Sequence, residues 1–262
     1  MHCTILASGS KGNCLLIEGG SGSILVDAGL SAKEILHRLE TTGKPADTIR
    51  AILVTHEHGD HIRGVDVLSR RLGVRVYATE GTLRDFSACR RSSGQPLKTG
   101  TCRYHETFRV DDFIIQPFAT SHDAAEPCGF CVREGDLVLG ICTDTGVVTE
   151  HTLATLTRCD GIVLESNHCP VMLREGPYPE SLKRRIRSNR GHLSNDAAAD
   201  CLRKLGAEVP HVVLAHLSEV NNTPEKAKAS ARSGLGLIWD EVTVTIASQR
   251  GTSPAHPQVI HI

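Results

Sequence analysis

The run Thr55-His56-Glu57-His58-Gly59-Asp60-His61 sets three imidazoles and two carboxylates directly after a short apolar stretch, Ala51-Ile52-Leu53-Val54. Such a stretch reads as a buried strand that ends in a polar loop. Residues two apart in an extended backbone share a side, so His56 and His58 face one way, and Gly59 lets the chain turn to bring Asp60 and His61 to the same space. Imidazole suits zinc, iron and copper, whereas carboxylate suits harder ions such as manganese, so the mixture fits a borderline transition metal. The crowding suits two ions. A solvated polar loop is the alternative, but three histidines and an aspartate at this spacing after an apolar strand favour the metal site.

The same placement, a polar residue just past an apolar run, recurs along the chain. Residues 23–26 end at Asp27, which can form a turn or hold the free ring nitrogen of a ligand histidine and fix its tautomer. Residues 113–118 lead to His122, 137–143 to Asp144, 161–164 to Glu165 and His168, and 211–215 to His216. A lone histidine there would ordinarily be structural, and Asp-Thr-Gly an ordinary turn. Repetition points to His122 as completing a ligand set and lets Asp144 bridge two cations. His192 precedes an alanine-rich helix that Ser194 can cap, so it stands beside a positive helix end, where anions are favoured. Lys183, Arg184 and Arg187, with Arg190 nearby, form either a solvated helix side or a phosphate-holding face. The loop from Ser8 to Asn13 is either an anion-binding nest or a hairpin loop.

Strands and helices must alternate to deliver these residues. Residues 4–6, 14–17 and 23–26 read as a strand meander with glycine-rich turns. Ser31 and Glu34 form a capping-box pattern that opens an amphipathic helix, closed by Gly43 and Pro45. Further helices are expected over 65–72, from Thr79 to about residue 89, over 179–188, after Ser194, and from Thr223 to Gly234. Further strands are expected over 74–78, 107–110, 113–118, 129–133, 137–143, 161–164, 211–215 and 242–247. One domain, 1–262, is expected, with 248–262 an irregular tail in which His256 and His261 are incidental.

The chain has 262 residues, 40% of them hydrophobic, which is ample for a sizeable core. A formal net charge of -1 gives no global pull toward nucleic acid, so any polyanion must be held by local patches or by metals. The 10 cysteines contain no CxxC pair and read as small buried residues rather than a zinc site or disulfide framework. With no signal-like start and no apolar stretch long enough to span a membrane, a cytoplasmic location is expected.

The HxHxDH run at 56–61, preceded by Asp27 and followed in order by His122, Asp144 and His216, resembles the metallo-β-lactamase superfamily. The resemblance implies an α/β chain folded as an α+β four-layer αββα sandwich, with two mixed sheets face to face and metals at one edge between them. It also implies that His56, His58 and His122 hold one metal and Asp60, His61 and His216 a second, with Asp144 bridging and Asp27 behind a ligand histidine.

More narrowly, Ala7-Ser8-Gly9-Ser10-Lys11-Gly12-Asn13, Ser121-His122-Asp123-Ala124, Glu165-Ser166-Asn167-His168, Gly191-His192-Leu193-Ser194-Asn195 and His216-Leu217-Ser218 with Asn221-Asn222 are similar to the YycJ/WalJ-like branch. Its members, related to ribonuclease Z and ribonuclease J, are regarded as bacterial cytoplasmic exonucleases acting on DNA. The chain departs from the branch at Cys169, where aspartate is expected. The stretch between Glu165 and His192 is also too short to hold the substrate-clamping domain of larger nucleases.

The resemblance implies a 5′-to-3′ DNA exonuclease that uses two divalent transition-metal ions, Zn2+, Mn2+ or Fe, with a water deprotonated between them and no side-chain nucleophile. The catalytic residues would be Asp60 and His192, with Glu165 or His168 orienting His192, and DNA would lie along Lys183, Arg184 and Arg187. A small-molecule cyclic phosphodiesterase is the alternative function. An RNA-processing nuclease or a non-catalytic binding protein on the same fold are further ones. Oligomeric state, a homodimer included, is not written in the sequence.

Overall fold

The amino-terminal half builds one sheet. A meander of β1 (His2–Ala7), β2 (Cys14–Gly19) and β3 (Gly22–Val26) is antiparallel, and α1 (Ala32–Thr41) then crosses to β4 (Ile49–Leu53), parallel to β3. The expected cap forms, with Ser31 Oγ accepting from the Glu34 amide at 3.2 Å, and Ile35 and Leu39 turn inward onto the sheet. A helical turn, α2 (Gly59–Ile62), and α3 (Val65–Leu72) lead to β5 (Arg75–Ala78), and α4 (Glu80–Cys89) precedes the edge strand β6 (Thr99–Thr101). This is a computed structural model that describes residues 1–89, 96–249 and the backbone of 259–261.

The second half repeats the plan. Strands β7 (Phe108–Val110), β8 (Phe113–Ala119), β9 (Cys128–Glu134) and β10 (Leu137–Cys142) are antiparallel. After α5 (Glu150–Leu156), β11 (Gly161–Glu165) runs parallel to β10. Three helices, α6 (Pro170–Glu175), α7 (Glu180–Arg187) and α8 (Asn195–Leu205), precede β12 (His211–Ala215), and α9 (Pro224–Leu235) precedes β13 (Thr243–Ile246), both strands continuing the parallel run. A last strand, β14 (Val259–His261), returns to pair antiparallel with β1. The sheet orders are β14-β1-β2-β3-β4-β5-β6 and β13-β12-β11-β10-β9-β8-β7.

Neighbouring residues of one strand feed different layers, because side chains alternate across a sheet. Ile24 and Val26 of β3 meet Phe130, Ile141 and Val163 between the sheets, while Leu25 packs with Ile35 and Leu68 under the first helical layer. Ile162 and Leu164 of β11 likewise pack outward against Leu202 of α8 and Ala231 of α9. Both faces of both sheets are covered, which is why the strands read as continuous apolar runs. The layers are αββα, as the sequence implied.

Two expectations need correction. Gly234 does not end α9; the helix runs to Leu235, and Gly236, with φ 56, terminates it. A Cβ at Gly234 would stand 2.4 Å from the Ala199 carbonyl oxygen, so this glycine lets α9 lie against α8. The tail is not wholly irregular, since β14 finds a partner in β1 that no local pattern announces; His256 lies outside the described residues, and only the backbone of His261 is described. Of the two readings of the loop from Ser8 to Asn13, its hydrogen bonds fit the hairpin loop: the Gly9 amide donates to Asn13 Oδ1 and the Lys11 amide to Gln249 Oε1. Among the described residues no helix is long and apolar enough to cross a membrane.

Candidate metal centre

The strands that carry the chemistry, from both sheets, deliver it at their ends along one side of the sandwich: β3 ends at Asp27, β4 at the 56–61 loop, β8 before His122, β10 before Asp144, β11 at Glu165 and β12 before His216. At three of these ends the backbone leaves the sheet in the left-handed region, with φ 61 at Asp27, 55 at Asp144 and 55 at His216. Such a conformation costs about 1–3 kcal/mol at a residue other than glycine, and strain of this kind gathers at functional sites. The metal loop is pressed closely from behind. A Cβ on Gly29 would fall 1.6 Å from the Asp60 carbonyl oxygen, so only glycine lets the Asp27–Gly29 turn seat that loop.

Hydrogen bonds then fix which nitrogen each ring presents. His61 Nδ1 donates to Asp27 Oδ2 at 2.7 Å, His122 Nδ1 to the Gly191 carbonyl at 2.9 Å, and His216 Nδ1 to Glu165 Oε1 at 3.0 Å. His56 Nδ1 lies 3.0 Å from Thr55 Oγ1, itself held by Asp27. These rings therefore turn Nε2 inward. His58 does the opposite, its Nδ1 lying 3.3 Å from His122 Nε2.

The inward atoms form two sets, His56, His58 and His122 in one and Asp60, His61 and His216 in the other, each within 4.8 Å of one another. Asp144 falls between, grouped with both His56 and His61. A buried polar atom without a partner costs about 1–3 kcal/mol. Three in this one cluster, His56 Nε2, Asp144 Oδ2 and His216 Nε2, are buried with no hydrogen bond. Cations would satisfy all three, so the donor chemistry fits divalent metal.

The profile of the beta-lactamase superfamily domain matches residues 23–217. The chain belongs to the metallo-β-lactamase superfamily. Within it, the chain is 38% identical over 248 residues to exodeoxyribonuclease WalJ of Streptococcus pneumoniae, a match covering 90% of this chain and 91% of that one. It is also 38% identical to exodeoxyribonuclease YycJ of Bacillus anthracis, over 88% of this chain and 87% of the other. These likenesses place it in the WalJ/YycJ family. The fold is shared with the metallo-β-lactamase-fold protein YhfI of Bacillus subtilis, with a TM-score of 0.75, 16% identity and 99% of each chain covered. A metallo-β-lactamase fold implies divalent metal at this edge.

In this WalJ/YycJ chain the remaining sequence-predicted residues separate into those that reach the cleft and those that do not. Glu165 is fully buried. Its Oε1 accepts from His192 Nδ1 at 2.7 Å as well as from His216, and its Oε2 accepts from the Thr145 amide at 2.7 Å. Burial would raise this carboxyl, but His192 and His216 outweigh it and bring it down to about 2, so it is ionised at neutral pH. Glu165 thus orients two imidazoles. His168 is absent from the cleft wall; its carbonyl accepts from the Asn195 amide, and burial lowers its buried ring to about 4. Cys169, the departure from the branch, stands at the N-cap of α6 with no side-chain cap hydrogen bond.

The cleft, 230 Å3, is walled by His58, Asp60, Asp144, His192 and His216 on the metal side and by Tyr178, Leu182, Arg185 and Ile186 opposite. Of the basic helix it is Arg185, not one of the three residues singled out from sequence, that lines it. Arg185 pairs with Asp123, beside His122, at 2.5 Å. Lys183 Nζ donates to the Arg174 carbonyl, Arg187 pairs with Glu180, and Arg184 is exposed. Sequence reasoning missed Arg185 because a helix face can be chosen only once the neighbour of Ile186 is known. It also missed Thr55 and the Gly191 carbonyl, which act through contacts far apart in the chain.

Proposed function

We propose that the chain is a dinuclear metal-dependent 5′-to-3′ DNA exonuclease. The observation that carries this reading is the convergence of three buried, unpartnered donor atoms in two ligand sets joined by Asp144. The chain's likeness to enzymes named exodeoxyribonuclease supports DNA as the substrate.

In this reading His56, His58 and His122 would hold one ion and Asp60, His61 and His216 the other, Asp144 would serve both, and Asp27 and Glu165 fix the rings from behind. Two Zn2+, Mn2+ or Fe ions, when bound, supply charge neutralisation at the phosphoryl group and a deprotonated water near neutral pH. The protein does the rest. His192, its Nδ1 committed to Glu165, has Nε2 left to donate to the leaving oxygen when the ring is in its imidazolium form. Arg185, itself exposed, exchanges its half-buried Asp123 partner for a phosphate, an exchange favoured by the small worth of a surface ion pair, about 0–1 kcal/mol. The test is a panel of end-labelled DNA, end-labelled RNA, a cyclic phosphodiester and a chromogenic diester, each with zinc and with manganese. DNA shortened from its 5′ end is the expected result. Turnover of cyclic phosphate with DNA left intact would move the assignment to a small-molecule phosphodiesterase.

Metal uptake should carry a proton signature that differs between the two sets. Burial lowers His56 and His122, so both are neutral at pH 7. Burial opposes protonation of His61 and His216 too, but the Asp144 carboxylate outweighs it, raising His61 well above its ordinary value and His216 to about 10. His216 is protonated in metal-free protein at pH 7 and His61 is shifted the same way, so an ion bound to this set must displace protons. Calorimetric titration in two buffers of different ionisation enthalpy should therefore show proton release on filling the set with His61 and His216, and little on filling the other. Equal release from both would contradict the assignment.

DNA along α7 makes a salt prediction. Each lost phosphate contact flattens the log-log salt dependence of binding by about 0.7–0.9. Changing Lys183, Arg184 and Arg187 together to Ala should flatten it by about 2 or more units, weaken DNA cleavage, and leave a chromogenic diester almost untouched. Titrations of single-stranded and duplex DNA at several salt concentrations measure it, and equal slopes in the two proteins would return these residues to a solvated helix side.

A further inference from the structure

On the outer face of the second sheet, away from the metal centre, β8, β9, β10 and α5 enclose an open cavity of 570 Å3. Cys131 of β9, 8% exposed, lines it, and its Sγ lies 3.9 Å from Sγ of the more deeply buried Cys159, just past α5. The two thiols meet above the intervening strand. Gly140 of β10 is the ladder partner of Cys131, and a Cβ there would stand 3.0 Å from Cys159 Sγ, so the missing side chain makes room for the pair.

The wall of this cavity is basic. Arg133, on the same face of β9 as Cys131, lines it with Arg158, His105 and His151, and no acidic side chain does. Neither arginine has an ion-pair partner among the described residues. The contact with Cys159 pulls the Cys131 thiol below its ordinary value; burial opposes this, and the charges of Arg133 and Arg158 assist it. Elsewhere burial acts alone or nearly so, pushing Cys3 and Cys201 up to about 12. Redox-sensitive cysteines combine thiolate character, access and a nearby second thiol.

We propose that Cys131 and Cys159 form a peroxide-reactive dithiol, with Cys131 oxidised by hydrogen peroxide that enters the cavity and Cys159 closing the intramolecular disulfide. In the first step the Cys131 thiolate attacks one peroxide oxygen. An S–O bond forms, the O–O bond breaks, and the departing hydroxide takes a proton from solvent, so that sulfur loses two electrons and the peroxide yields one water. In the second, Cys159 sulfur attacks Cys131 sulfur, the S–O bond breaks, and the Cys159 proton leaves with the hydroxide as a second water. The crosslink ties β9 to the end of α5 across 28 positions of sequence, a constraint on the unfolded chain.

The test uses full-length protein with Cys89→Ser, because Cys89 is the exposed thiol among the described residues and would form intermolecular bridges. Hydrogen peroxide in small excess, followed by alkylation under denaturing conditions and peptide mapping, should yield a linked Cys131–Cys159 peptide. Cys102 and Cys128, buried between the sheets, should remain thiols. Cys159→Ser should lose the link and leave Cys131 trappable by dimedone as a sulfenic acid, whereas Cys131→Ser should lose both products. Arg133→Ala with Arg158→Ala should slow the reaction by about tenfold for each pKa unit by which thiolate is lost. Recovery of Cys131 and Cys159 as thiols while Cys169 or a core cysteine is oxidised would overturn the proposal.

Discussion

Asp144→Asn is expected to lower hydrolysis by roughly 1000-fold or more while the chain remains folded. Removal of one preorganised charge-stabilising group typically costs 100- to 1000-fold, and Asp144 is assigned to both ions at once. Its Oδ2 is buried without a hydrogen bond, and its carboxylate lies 3.3 Å from His61 Nε2 and 3.3 Å from His216 Nδ1. Asparagine is the informative replacement because it keeps the shape and tolerates the φ of 55, which alanine accommodates less readily. Metal content, the denaturation midpoint and activity should be measured together. Near-normal activity with normal folding would mean that another group joins the two ligand sets.

His192→Ala is expected to slow DNA cleavage by about 100- to 10000-fold, the usual worth of a positioned proton donor. The same change should scarcely affect a p-nitrophenyl diester, whose leaving group departs without protonation. The contrast follows from geometry: Nδ1 is fixed on Glu165 at 2.7 Å, and the ring lines the cleft. Glu165→Gln should show a weaker form of this pattern together with lower metal affinity, by about 10- to 100-fold, since the same carboxylate also orients His216. Comparison of kcat for the two substrates in both variants checks the assignment. A uniform loss on both substrates would make His192 a phosphate-holding residue rather than a proton donor.

Much of the architecture was legible because it is local. Apolar runs that end in Asp27, His56, His122, Asp144 and His216 announce both a strand and the residue at its exit, and Ser31, Ser194 and Thr223 announce the helices they cap. What the sequence hides is set by distant contact. Gly234 looks like a helix terminator until Ala199 is seen against it, β14 is a strand only because β1 offers an edge, and α2 forms where a simple turn was expected. The site divides in the same way. Its donor residues lie at recognisable positions, but the choice of inward nitrogen depends on the Gly191 carbonyl, Asp27 and Glu165, each more than 25 residues from its histidine.

Two ions acting together on DNA are the centre of this account, and a metal titration reads that most directly. Chelated, metal-free protein would be given increasing Mn2+ or Zn2+ while mononucleotide release from linear 5′-labelled DNA is followed alongside bound metal. Activity should stay near zero through the first equivalent, rise with the second and saturate near two, with label released from the 5′ end. Full exonuclease activity at one equivalent, or in the presence of excess chelator, would contradict it.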